Sequence, residues 1–208
     1  MDFSFQMFSI LLPIMFGVMA AFFLILGLRG IVTKNPFLLS NRWLLLVMLV
    51  SFVPSIIMPF FFSIYDMDLM DWLNPAIFSV VIVMMFFALK GYAAYGITDT
   101  TFREALLAAL EKLQLPYEES LSSIRLTSID ADLQVAIQSW LGSGMIKIKQ
   151  REHRSVLSKI VTEMNNHFSL SSGPIKLITF IFYLIMGVFM VIGGIGMLYL
   201  FHYAGDKV

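Results

Sequence analysis

The chain contains no cysteine. Disulfides, thiolate metal sites and cysteine nucleophiles are excluded on that ground alone. Neither sign of charge is in excess: 14 Lys and Arg balance 14 Asp and Glu. Net charge therefore gives no reason to expect a nucleic acid partner, and none is expected. Charge of any kind is scarce, at 13% of 208 residues against 59% hydrophobic, and the mean hydropathy is +0.84. Such values belong to membrane proteins rather than to ordinary soluble domains.

The common catalytic signatures are missing too. There is no His-x-x-x-His pair, no Gly-x-Ser-x-Gly and no P-loop. His153 and His167 fall on one predicted helix nearly four turns apart, so they cannot share a ligand. His202 lies beyond the last apolar run. Gly142-Ser143-Gly144 precedes a strand rather than a helix and lacks the geometry of a phosphate cradle. No catalytic residue, metal ligand or cofactor is expected. No ionisable residue occupies the centre of an apolar run, which argues against proton relays, ion-coupled transport and voltage sensing.

What the chain does have is long apolar runs, and four of them are predicted to be transmembrane helices: residues 8–28, 43–64, 75–92 and 177–201. The first is preceded by Asp2 and followed by Arg29. That is the reverse of a secretory leader, so a retained span is expected. Pro54 and Pro59 predict a kink in the second. Asn74-Pro75 suits a helix opening before the third. In the fourth, Gly187, Gly193, Gly194 and Gly196 predict close helix packing. Their partner would be a helix of this chain, a second copy (a homo-oligomer) or another membrane protein.

Asp66, Asp68 and Asp71 lie between the second and third runs. A solvated acidic loop or helix-start chemistry accounts for them, with cation binding as the alternative. Arg29, Lys34 and Arg42 fill the first linker, and Lys90, Arg103 and Lys176 flank the long polar stretch. Basic residues gather on the cytoplasmic side. The chain is therefore expected to be a multi-pass protein of the inner (plasma) membrane. Residues 93–172 would be cytoplasmic and both termini outside.

Residues 93–172 carry a different periodicity and are predicted to form a small α+β domain of order β-α-β-β-β-α, inserted between the three spans of 1–92 and the last span in 173–208. A strand covers 92–97. Thr101-x-x-Glu104 has the spacing of a capping box, and Phe102, Leu106, Ala109, Leu110 and Leu113 follow at helical intervals. Ile124 and Leu126 alternate with polar residues, as do Leu133, Val135, Ile137 and Leu141, and then Ile146 and Ile148 beyond the Gly142-Ser143-Gly144 hairpin. Val156, Leu157, Ile160, Val161, Met164 and Phe168 form the apolar face of a second helix. The first strand, helix and second strand are expected to make a right-handed crossover with parallel strands.

Lys147, Lys149, Arg151 and Arg154 form a basic cluster at the last strand and the start of that second helix. They are the candidate contact for an anion or a partner, with a solvated face as the plain alternative. The expected function is that of a non-enzymatic integral membrane protein whose cytoplasmic domain binds a partner or ligand. One competing reading is a channel-like assembly gated by the polar domain through the proline-bearing second run. The other is an enzyme acting on a lipid-linked substrate through Asp66, Asp68 and Asp71.

Overall fold

The computed structural model describes residues 3–62, 69–119, 123–171 and 173–205. The elements in order are α1 (Phe3–Thr33), β1 (Phe37–Ser40), α2 (Asn41–Phe62), α3 (Leu69–Ala88), β2 (Tyr92–Tyr95), α4 (Asp99–Lys112), β3 (Tyr117–Glu119), β4 (Ser123–Leu126), β5 (Ala131–Gln138), β6 (Ser143–Ile148), a 3-10 turn at Arg151–His153, α5 (Arg154–Leu170) and α6 (Leu177–Gly205). They divide into a helical unit and an α+β unit.

The expectation of four transmembrane helices is not met. Among the described residues two helical segments, Ser9–Thr33 and Leu177–Tyr203, are long and apolar enough to cross a membrane. The apolar stretches described in α2 and α3 are Asn41–Phe52 and Ala76–Phe87. The predicted third span also runs past its helix. α3 stops at Ala88, and residues 89–92 already lead into β2.

The helical unit comprises Met1–Ile25, Arg42–Leu89 and Tyr183–Val208. Within it α1 and α6 run antiparallel, because contacts rise along one helix as they fall along the other. A Cβ on Gly187 would sit 2.7 Å from Leu24 Cγ, and one on Gly193 would sit 3.1 Å from Phe16 Cε1. Phe23 and Tyr183 stack at 5.9 Å. Gly194 approaches Phe16 and the carbonyl of Pro13. Small residues thus let the two backbones close up, as expected where no hydrophobic force favours helix association. Three of the four predicted glycines are used in this way, within the chain, and Gly196 meets nothing within 4 Å. Only 22% of each apolar window is buried. Phe189, for example, is 67% exposed. Exposed apolar flanks of this kind suit lipid.

The α+β unit comprises Leu26–Asn41 and Lys90–Phe182. Its sheet has six strands in the order β1-β2-β6-β5-β4-β3, and every neighbouring pair is antiparallel. This adds β1 and β3 to the expected elements and overturns the expected parallel pairing. β2 lies between β1 and β6. After α4 the chain goes to the far edge as β3 and meanders back through β4, β5 and β6 until it meets β2. β1 comes from the linker after the first apolar run, where no strand was expected. Its four residues FLLS alternate too briefly to signal a strand, and β3 is only three residues of mostly charged sequence.

Alternation along the strands sends Leu126, Ala131, Leu133, Ile146 and Ala94 to one face, where Phe102, Ala105, Leu106, Ala109 and Leu110 of α4 meet Leu157, Ile160, Val161, Met164 and Phe168 of α5. This is a two-layer core. The α4 cap also differs from expectation. Thr98 is the N-cap, accepting from Thr101 N–H, while the Thr101 hydroxyl accepts from Thr98 N–H. The box is thus shifted three residues toward the N-terminus, with Thr in place of Glu at its second position.

Candidate functional site

The strands fix where the basic cluster sits. β6 begins beside the first turn of α6, where Ile97 N–H donates to Gly142 O and the Thr179 hydroxyl donates to Leu141 O. It then runs away for about 17 Å at 3.3 Å per residue. Lys147 pairs in register with Gln134 and so lies on the sheet face opposite α4 and α5, half-buried. Lys149 N–H donates to Asp132 O at 3.0 Å. Gln150 pins the next turn, its side chain accepting from Asp132 N–H at 3.0 Å and donating to Asp130 O at 3.2 Å. Arg154 is the exposed first residue of α5. Arg151 lies in the 3-10 turn, and its side chain is outside the described residues.

Local electrostatics favour an anion here. No side chain caps the start of α5, and no acid occupies its first turn, so the positive end of its dipole is unopposed from within the helix. Glu152 is the nearest acid in sequence and is exposed. Elsewhere in the unit three cations are neutralised: Arg103 by Glu119 at 2.6 Å, Lys112 by Glu163 at 2.5 Å and Arg125 by Asp130 at 2.7 Å. The hydrogen bond from Lys112 holds the Glu163 carboxyl below its ordinary range. The bond to Asp130 raises the Arg125 guanidinium further above its ordinary value. Among the described residues Lys147, Lys149 and Arg154 enter no ion pair. Side chains of this charge favour contact with negative charge.

The other sequence candidates disperse. His153 ends the 3-10 turn, while His167 lies late in α5 and lines a shallow groove with Lys112, Glu163 and Asn166. No group of three His, Asp or Glu is placed to hold a metal among the described residues. Asp66 and Asp68 lie outside the described residues, as does the side chain of Asp71. Asp130 adopts φ +48° in the turn before β5, a left-handed position that Asp tolerates.

Two residues at this level escaped the sequence reading. Asn165 of α5 bonds the backbone of Leu38 in β1. Trp140 stands 78% exposed in the β5–β6 turn. The only sequence signal for Trp140 was a large aromatic inside a hairpin connection. Asn165 gave none, because its partner lies 127 residues away. No protein family, curated protein or solved structure matches the chain.

Proposed function

We propose that the protein is a membrane-anchored binding module. α1 and α6 each cross the bilayer, and the α+β unit presents Lys147, Lys149, Arg151 and Arg154 to an acidic segment of a protein partner. The contrast within one small unit carries this reading. Arg103, Lys112 and Arg125 are matched by acids, whereas among the described residues Lys147 and Lys149 at the end of β6 and Arg154 at the uncapped start of α5 enter no ion pair. Such a patch favours fast, salt-sensitive association with an acidic surface.

Orientation follows from the cations at the helix ends. Arg29 and Lys34 lie at the end of α1, and Lys176 lies just before α6. By the positive-inside rule the α+β unit is cytoplasmic, and the far ends of α1 and α6 are outside. The α2–α3 excursion leaves this assignment unchanged. It departs and returns at one point, where Asn41 N–H donates to Gly91 O at 3.1 Å.

The test is a photo-crosslinking residue at position 149 in native membranes. The expected product is an adduct to one acidic protein segment, lost when Lys147 and Arg154 are both changed to Glu. No protein adduct, or an adduct indifferent to charge reversal, would overturn the proposal.

A further inference from the structure

We infer that the β5–β6 turn is a second membrane contact, with the indole of Trp140 seated in the lipid headgroup layer beside the point where α6 leaves the α+β unit. The inference rests on α6 crossing the bilayer, and everything else in it comes from how that turn is held.

Trp140 is 78% exposed, so most of a large, mainly apolar ring has no protein cover. The turn that carries it is fastened to the start of α6 by two direct bonds and by two more that pass through Gly96 and Ile97. Lys176 Nζ donates to Ser139 O, and the Thr179 hydroxyl donates to Leu141 O. Lys176 N–H donates to Gly96 O at 3.0 Å, and Ile97 N–H donates to Gly142 O at 2.9 Å. A fifth bond, from Ser139 Oγ to the Asp99 carboxylate at 2.7 Å, ties the turn to the start of α4. Gly142 adopts φ +65°, and a Cβ there would fall 2.6 Å from both Lys176 Cβ and Thr179 Oγ1. The turn is thus pressed against the first residues of α6 with no room for a side chain between them.

This attachment sets the depth of the indole. The apolar segment of α6 begins at Leu177, so Lys176 and Thr179 straddle its boundary. α1 marks the same level from the other side. A Cβ on Gly30 would overlap the ring of Phe180, and Val32, two residues on, is 77% exposed near the end of the α1 segment. A turn bonded to residues 176 and 179 therefore lies at the polar–apolar boundary of both helices. An indole suits that layer, because its ring is apolar and its N–H needs a polar partner. Lys176, directed to Ser139 O, adds a cation where anionic headgroups would meet it. The occupant is a lipid surface rather than a protein groove, because the boundary of α6 continues into the turn.

Fluorescence in vesicles of phosphatidylcholine and phosphatidylglycerol tests this. The full chain is used with Trp43 and Trp72 changed to Phe, leaving Trp140 as the one indole. Lipids brominated near the headgroup should quench its emission more than lipids brominated deep in the acyl chain. Aqueous iodide should reach it poorly. A companion chain with Trp140 also changed to Phe and Phe189→Trp reports on α6 itself, and the deep bromine should quench it. Trp140 fully open to iodide and untouched by either bromolipid, while the position-189 indole is quenched, would overturn the inference and leave the anchor standing. Loss of quenching at position 189 would remove the anchor, and the inference with it.

Discussion

The side-chain amide of Asn165 holds both backbone polar groups of Leu38, accepting from its N–H at 2.8 Å and donating to its C=O at 3.2 Å. β1 is an edge strand, and its ladder faces only β2. An unpaired strand edge invites pairing with other chains. Here one residue of α5 closes it, and the same contact ties the segment after α1 to the second core helix.

Replacing Asn165 by Ala should therefore cost about 1–3 kcal/mol, because two part-buried backbone groups lose their partner at once. Asn166→Ala, one position away and exposed, should cost well under about 0.5 kcal/mol. Thermal unfolding of the two variants in detergent checks the difference. Asn165→Asp should stay low as well, since a carboxylate has no N–H to give Leu38 C=O.

Gly96 has φ +73°, and a Cβ there would lie 2.4 Å from Phe180 Cζ. Gly96→Ala should lose about 1–2 kcal/mol from the left-handed backbone alone, with the clash added. Combining it with Phe180→Leu should recover the steric part and leave the backbone part. A double-mutant cycle on unfolding free energy separates the two.

Much of the α+β unit is legible in the sequence, because its signals are local. Phe102, Leu106, Ala109 and Leu110 recur at helical spacing and are buried in α4, and Leu157, Ile160, Val161, Met164 and Phe168 do the same in α5. The strand alternation around Leu133 and Ile146 also survives. The sheet order is not legible, because it depends on β1, a short segment that is a strand only because β2 and Asn165 hold it there. A capping box at Thr98 is hidden by the overlapping Thr101–Glu104 spacing. The four-span expectation came from the length and apolar content of the runs, and among the described residues two helical segments meet that test. The face on which Lys147 lies was readable from its alternation with Ile146 and Ile148. The anchoring of Trp140 was not, because Lys176 and Thr179 lie 37 and 38 residues away from their bond partners in the turn.

Gly187 and Gly196 should respond oppositely to the same change. A Cβ at 187 meets Leu24 Cγ at 2.7 Å and Leu24 N at 3.1 Å, whereas one at 196 meets nothing. Gly187→Val should force α1 and α6 apart and lower the melting temperature and yield of the purified protein. Gly196→Val should change neither. Equal damage at both positions would indicate a helix partner on the Gly196 side as well.

Acid sensitivity has a defined sign at Glu163. Lys112 lowers its folded-state pKa below the ordinary 4.5. A carboxylate of that kind adds stability above its unfolded pKa and loses it as pH falls through the lower folded value. The pair is solvent-exposed, so the effect should be small and should shrink with added salt. Glu163→Gln and the parent chain should differ slightly at neutral pH and converge below the carboxylate range. A difference that grew on acidification would contradict the assigned direction.

The absence of native cysteine makes the decisive measurement clean. Single cysteines replace Ser155, exposed in the first turn of α5, and Tyr203, exposed near the end of α6. Intact cells are then treated with a membrane-impermeant thiol reagent. Two crossing helices with a cytoplasmic α+β unit predict labelling at position 203, and labelling at 155 only after permeabilisation. Equal labelling of both in intact cells, or release of the chain from membranes at alkaline pH, would contradict it.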